Sequence, residues 1–285
     1  MSQHRLRHAA LVGAAFIAAW AQGCDLAQAQ GRLDARYEVT LGGVQFGRGA
    51  WQISVADGQF TSAVSGATSG LLRLFNTGRG ASASRGTVSG GGVLKASSYS
   101  SSVSTSSKYD EVRMQLSAGS VKEFMAEPPN TPDPRRVPIQ DAHRRGVLDP
   151  MTAAIIRVPG NGDTFVPQAC NRKLAIFDGR MRYDLQLAFK RLDRVKSEKG
   201  YQGTTVVCAV SFAPIAGHVP DRPVIKYLAD LRETELWLAP IAGTRLMVPY
   251  RVTLPTPFGQ GVLEARQFLT AAQAPRLTPA SAKSQ

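Results

Sequence analysis

The chain has 285 residues, 43% of them apolar, and its 34 basic and 21 acidic side chains give a net charge of +13. That apolar fraction excludes a disordered polymer, and the length is enough to bury a real core as one large domain or two small ones. Modest aromatic content beside abundant Gly, Ser and Thr points to short strands and many turns.

The N-terminus reads as a secretory leader. Arg5 and Arg7 form a basic n-region, residues 9–20 an apolar h-region of about a dozen residues, and small residues follow. The apolar run is too short for a membrane span, which needs roughly 20 residues. Ala27-Gln28-Ala29 fits an ordinary cleavage site with Gln30 as the new N-terminus; the alternative is a lipobox ending at Cys24, although Ala21 stands where a lipobox usually carries Leu. Export places the mature chain in the periplasm, where a charge of about +12 (without Arg5, Arg7 and Asp25) favours anionic neighbours and nucleic acid is scarce. Both cuts leave Cys170 and Cys208 as a pair in an oxidising compartment, so a disulfide is expected, closing a loop of roughly 40 residues worth about 4 kcal/mol. Two buried free thiols are the alternative.

From Ala35 onward the apolar residues recur every second position. In "RYEVTL", Tyr37 and Val39 share one face; in "WQISV", Trp51 and Ile53 do. The glycines of "GGVQFGRG" read as the turn between them, and Asp57-Gly58 as a hairpin turn into "QFTSAV". "LLRLF" reads as a strand covered on both sides. The Gly/Ser-rich residues 78–107 read as solvent-facing strands carrying Val93, Tyr99 and Val103, with a flexible linker as the alternative. "YDEVRMQL" returns to plain alternation.

Five prolines between 126 and 148 break the pattern and predict an exposed connector. Its Arg135, Arg136, Arg144 and Arg145 offer a handle to an anionic envelope component; a solvated loop is the alternative. Asp149-Pro150 predicts a capped helix start. Beyond it, "MRYDLQLAF" aligns Tyr183 with Phe189, "TVVCAVSF" turns Cys208 inward, and "VIKYLADL" has helical spacing. Three further strands follow, and residues 271–285 read as a disordered tail. The expected architecture is mainly β: residues 1–29 a leader, then one domain over 30–270 in two halves, 35–125 and 149–270, joined by the connector. Such a chain forms a curved antiparallel sheet, a half-barrel or β-spiral, with one or two short helices. The short strands and the ending "SAKSQ" argue against an outer-membrane barrel.

Three stretches carry a resemblance: "YEVTLGGVQFGRGAWQI", "GVLDPMTAAI", and "CNRKLAIFDGRMRYDL" followed by "VVCAVSFAPIAG". Over about 35–270 the chain resembles the domain-of-unknown-function 3108 family of exported bacterial proteins, in its alphaproteobacterial form. The resemblance implies no activity. At the level of fold it suggests similarity to lipid-handling proteins such as LolA and LolB and to β-spiral envelope proteins.

Beyond the leader only His143 and His218 remain, neither at metal-ligand spacing, and there is no Gly-x-Ser-x-Gly and no phosphate loop after the glycines at 90–92. Asp178-Gly179 reads as a turn and Asp184 as half of a surface charge pair. No metal, cofactor or catalytic constellation is expected. If the sheet does not close tightly, Tyr37, Val39, Trp51, Ile53, Tyr183 and Phe189 would line an apolar groove able to hold a lipid or lipoprotein acyl chain; otherwise they pack as core. The expected function is therefore a non-catalytic periplasmic role in envelope maintenance, ahead of a scaffold for other envelope proteins and then a hydrolase.

Overall fold

A computed structural model describes residues 30–69 and 77–273. The leader with Cys24 and Ala29, the "LLRLF" strand and the tail beyond 273 lie outside the described residues. Within them the alternating pattern becomes fifteen strands in one antiparallel, curved and unclosed sheet with two short helices.

The first half is a meander: β1 (Gly31–Leu41), β2 (Val44–Ala56), β3 (Gln59–Thr68), β4 (Gly78–Val88), β5 (Leu94–Thr105), β6 (Tyr109–Ser117) and β7 (Ser120–Glu127). Asp57 and Gly58 both take positive φ, the geometry that matches a two-residue turn to strand twist. After α1 (Pro150–Ala153) come β8 (Ile156–Arg157), β9 (Arg172–Phe177), β10 (Arg182–Lys196), β11 (Lys199–Gly200) and β12 (Gln202–Ala216). Then follow α2 (Pro223–Asp230), β13 (Thr234–Pro240), β14 (Leu246–Thr256) and β15 (Gly259–Ala272). The halves are joined by the first and last strands, whose pairing runs from Gly31 opposite Ala272 to Leu41 opposite Gly261. Residues 271 and 272 thus belong to a strand rather than to a tail.

The two outer strands, β7 and β9, do not pair directly. Instead the end of the connector threads between them. Val147 N–H donates to Gly119 C=O at 2.8 Å, Leu148 N–H to Ala175 C=O at 2.8 Å, and Phe177 N–H to Leu148 C=O at 3.0 Å. The Phe124 and Phe177 rings meet edge to face at 5.9 Å. The Arg180 guanidinium reaches from the β9–β10 turn to Asp110, Asn130 and the Pro128 carbonyl. Gly179 (φ +92°) permits that approach, since a Cβ there would run into the Val112 side chain. The connector is therefore not wholly exposed: Val147 is buried and Leu148 half-buried, because open sheet edges are satisfied most cheaply by a nearby extended segment.

Strand content over 78–105 follows the sequence reading, but Tyr99 faces the core rather than solvent. A register shift beside Arg85 and Gly86 skips Ser97, which moves the inward positions from Leu94 to Tyr99. One large apolar cluster includes Leu33, Ile53, Phe60, Met114, Tyr250 and Phe268. A smaller one surrounds Cys170 and Cys208, which are fully buried and form a disulfide. Asp184 is buried rather than on the solvent side. Burial opposes its charge, but Lys173 at 2.7 Å and Arg182 at 2.5 Å outweigh it and hold the carboxyl below its ordinary range.

Helix α1 sits inside the curl against β3, β4, β5 and β9. Asp149 caps it, accepting from Met151 N–H and Thr152 N–H at 3.0 Å each, and its other oxygen accepts from Ser84 Oγ at 3.2 Å. Burial pushes the Asp149 carboxyl above its ordinary value, against the hydrogen bonds from Thr152, Ser84 and Met151. A raised carboxyl pKa penalises the folded state at neutral pH, and the penalty disappears as pH falls through the folded value towards the unfolded one. Asp149→Asn keeps an acceptor at the cap without the charge. It is therefore expected to be more stable than wild type near pH 7, by about 1 kcal/mol, and to converge with it near pH 4. Asp149→Ala loses the cap and should cost about 1–2 kcal/mol. Urea midpoints at both pH values check the pair; an Asn variant weaker than wild type at neutral pH would show that the charge itself is needed.

Candidate functional site: an apolar groove on the inner face

Residues directly opposite one another in an antiparallel sheet share a face, so the register defines the inner wall row by row. One row is Ala35, Trp51, Val64, Ser82 and Ser101. The next, towards the β1–β2 turn, is Tyr37, Gly49, Gly66, Gly80 and Val103. A third pairs Val39 with Gly47 and Gly47 with Thr68, whose hydroxyl accepts from Gly78 N–H at 2.9 Å. Five glycines thus fall on one patch of wall where side chains would otherwise project inward. Gly47 and Gly49 lie within β2; only Gly42 and Gly43 make the turn expected from "GGVQFGRG".

The missing side chains leave a cavity of about 620 Å³ bounded by Tyr37, Val39, Trp51, Val64, Met151 and Leu263 as well as the glycines. A second compartment of about 390 Å³ lies beneath α2, walled by Tyr183, Leu185, Phe212, Leu228, Leu236 and Leu254 among others. Ala154, Pro249 and Val252 belong to both, so α1 and β14 stand where the compartments meet. Each volume lies in the range of about 300–1,000 Å³ usual for small-molecule pockets.

The polar tips of the aromatic walls are turned to the protein. Tyr37 donates to the Pro249 carbonyl at 2.7 Å and the Trp51 indole N–H to Ser62 Oγ at 2.9 Å. Burial raises the Tyr37 and Tyr183 hydroxyls well above their ordinary values, so both stay neutral. Among the described residues no His, Cys, Asp or Glu lines either compartment, and Arg48 and Arg79 border the first. Among the described residues no group of three or more His, Cys, Asp or Glu is placed to hold a metal ion.

Of the six residues expected to line a groove, Tyr37, Val39 and Trp51 line the first compartment and Tyr183 the second. Ile53 does not: it lies one row deeper, opposite Leu33 and Ser62, and is sealed in the core. Phe189 does not either. It sits opposite Cys208 beside a register shift in β10 and packs on the disulfide cluster.

The connector arginines are mostly occupied internally. Arg135 grips Asp133 with two hydrogen bonds, at 3.1 and 3.0 Å. Arg136 donates to the Gly217 carbonyl, and Arg144 pairs with Asp141 while lying 4.6 Å over the Phe124 ring. Arg145 is exposed. A basic cluster that the sequence did not single out lies on the outer face, where Arg36, Arg48, Arg79 and Tyr109 surround a depression of about 780 Å³. Strand register alone assembles it: Arg48 faces Ala67, which faces Arg79.

These features define the class: a curled, unclosed antiparallel β protein with an apolar groove on its inner face. Within that class, the chain belongs to the family described as "Protein of unknown function (DUF3108)", whose model matches residues 36–266. Among solved structures it is similar to the crystal structure of a beta-barrel-like protein of the domain of unknown function DUF1849 from Brucella abortus. The TM-score is 0.48 and the identity 11%, over 86% of this chain and 98% of that one. No curated protein matches. Among the described residues no helix is long and apolar enough to cross a membrane.

Proposed function

We propose that the protein acts without catalysis in the periplasm, in maintenance of the cell envelope, by holding an acyl chain of a lipid or lipoprotein in the inner groove. The observation that carries this reading is the two-compartment cavity, whose wall is bared by Gly47, Gly49, Gly66, Gly78 and Gly80 and whose Tyr37 and Trp51 polar tips are hydrogen-bonded to the protein. The described lining is mostly apolar; its charged members, Arg48 and Arg79, alternate along β2 and β4 with the inward glycines and so belong to the outer face. The disulfide suits an oxidising compartment. Burying about ten methylenes at about 0.8 kcal/mol each gives a gross gain of about 8 kcal/mol, enough for micromolar binding before ordering costs.

Titration with cis-parinaric acid, whose fluorescence rises in an apolar site, tests the reading. A saturable rise at micromolar probe, competed by unlabelled fatty acid, is expected. A response no larger than that of a serum-free buffer control with an unrelated β protein would count against it.

A further inference from the structure

One end of the curled sheet carries apolar side chains that no other described residue covers. Phe258, in the β14–β15 turn, is 81% exposed; Val224 on α2 is 58% exposed and Val44, opening β2, 56%. Tyr227 on α2 is exposed as well, and α2 buries none of its residues fully. These side chains come from three segments that the fold ties together. Gly42 N–H donates to the Gln260 carbonyl at 3.0 Å, linking the β1–β2 and β14–β15 turns. The Tyr227 hydroxyl donates to the Pro255 carbonyl at 2.9 Å, fixing α2 beside the same turn.

The groove ends here too. Val39, Leu263 and Val252, inner-face positions close to these turns, line the first compartment, while Leu254, Leu228 and Leu231 line the second. The charges around α2 balance: Arg222, Lys226 and Arg232 stand among Asp221, Asp230 and Glu233, and Lys226 pairs with Asp221 at 3.0 Å. Attraction exerted by α2 is therefore apolar rather than coulombic.

We infer that this end is a docking rim for a lipid surface, at which Phe258, Val44, Val224 and Tyr227 enter the boundary between headgroups and acyl chains and present the groove mouth to the leaflet. Single apolar side chains on turn tips and a short amphipathic helix suit a fluid interface that closes around each of them. A folded partner would have to supply a separate rigid pocket for each projecting tip. The inference deepens the groove reading and rests on it for the direction of the mouth.

Flotation with phosphatidylcholine vesicles, alone and mixed with phosphatidylglycerol, tests it on protein carrying the same N-terminus in every variant. Wild type is expected to float with both compositions, with little change on adding salt. Phe258→Ser combined with Val224→Ser should lower the vesicle partition coefficient at least tenfold, and Phe258→Trp should preserve it. Both positions are exposed, so melting temperatures should match wild type, and cis-parinaric acid binding in solution should not change. Flotation of the double variant equal to wild type would overturn the rim, as would binding that requires phosphatidylglycerol and vanishes in salt, or no flotation of wild type at all. Rim-dependent flotation without parinaric acid binding would uphold the rim and overturn the groove reading instead.

Discussion

Gly78→Phe is expected to weaken acyl-chain binding by about 100-fold while leaving the protein folded. A Cβ at Gly78 would meet Thr68 Cγ2 at 3.5 Å and Thr105 Cγ2 at 3.8 Å, ordinary contact distances, so the backbone accepts a side chain there. Because Gly78 lies on the wall of the larger compartment, the ring would occupy space otherwise open to ligand. Displacing roughly three to four methylenes at about 0.8 kcal/mol each removes about 3 kcal/mol, which is the factor of about 100. The measurement is cis-parinaric acid affinity beside thermal melting. Unchanged affinity with an unchanged melt would mean that the chain lies elsewhere. Gly80 is a poorer site for the same test, since its Cβ would press on the Ser102 carbonyl at 3.3 Å.

Loss of the Cys170–Cys208 disulfide is expected to be the largest single stability effect. The bond joins residues 38 apart in sequence. Releasing that loop should cost about 4 kcal/mol in the chain-entropy account. For a domain of this size that lowers the melting temperature by roughly 10 °C. The expected observation is a drop of that order in Cys170→Ala/Cys208→Ala, matched by wild type in reductant under denaturing equilibration. A function effect should accompany it, because Leu187 belongs both to the disulfide cluster and to the smaller compartment. Equal melting of the oxidised protein and the double variant would show that the link is dispensable.

Features set by adjacent residues were legible in the sequence. Asp57-Gly58 dictates its turn, Asp149-Pro150 its helix start, and period-two alternation its strands. The cysteine pair followed from counting, once the sequence was read as exported. Features set by register were not legible. Gly49, Gly66 and Gly80 are remote in sequence and become one bare patch only when β2, β3 and β4 pair, so the first of them read as a turn. The shift near Ser97 reverses which residues of β5 point inward, and no residue type announces it. The connector's role at the sheet edges is carried by the backbone groups of Val147 and Leu148, which composition does not distinguish from those of a loop. For the groove itself, alternation identified Tyr37, Val39, Trp51 and Tyr183 as inward. It could not separate them from Ile53, because burial under other side chains and burial beside a cavity share one pattern.

The central claim is that the inner groove holds an acyl chain, and native mass spectrometry of protein recovered from the envelope of its own cells tests it most directly. The account predicts a second charge-state series heavier than the polypeptide by one lipid or fatty acid, lost on organic extraction and depleted in Gly78→Phe. Wild-type protein that flies only at the polypeptide mass, in repeated gentle preparations, would contradict it.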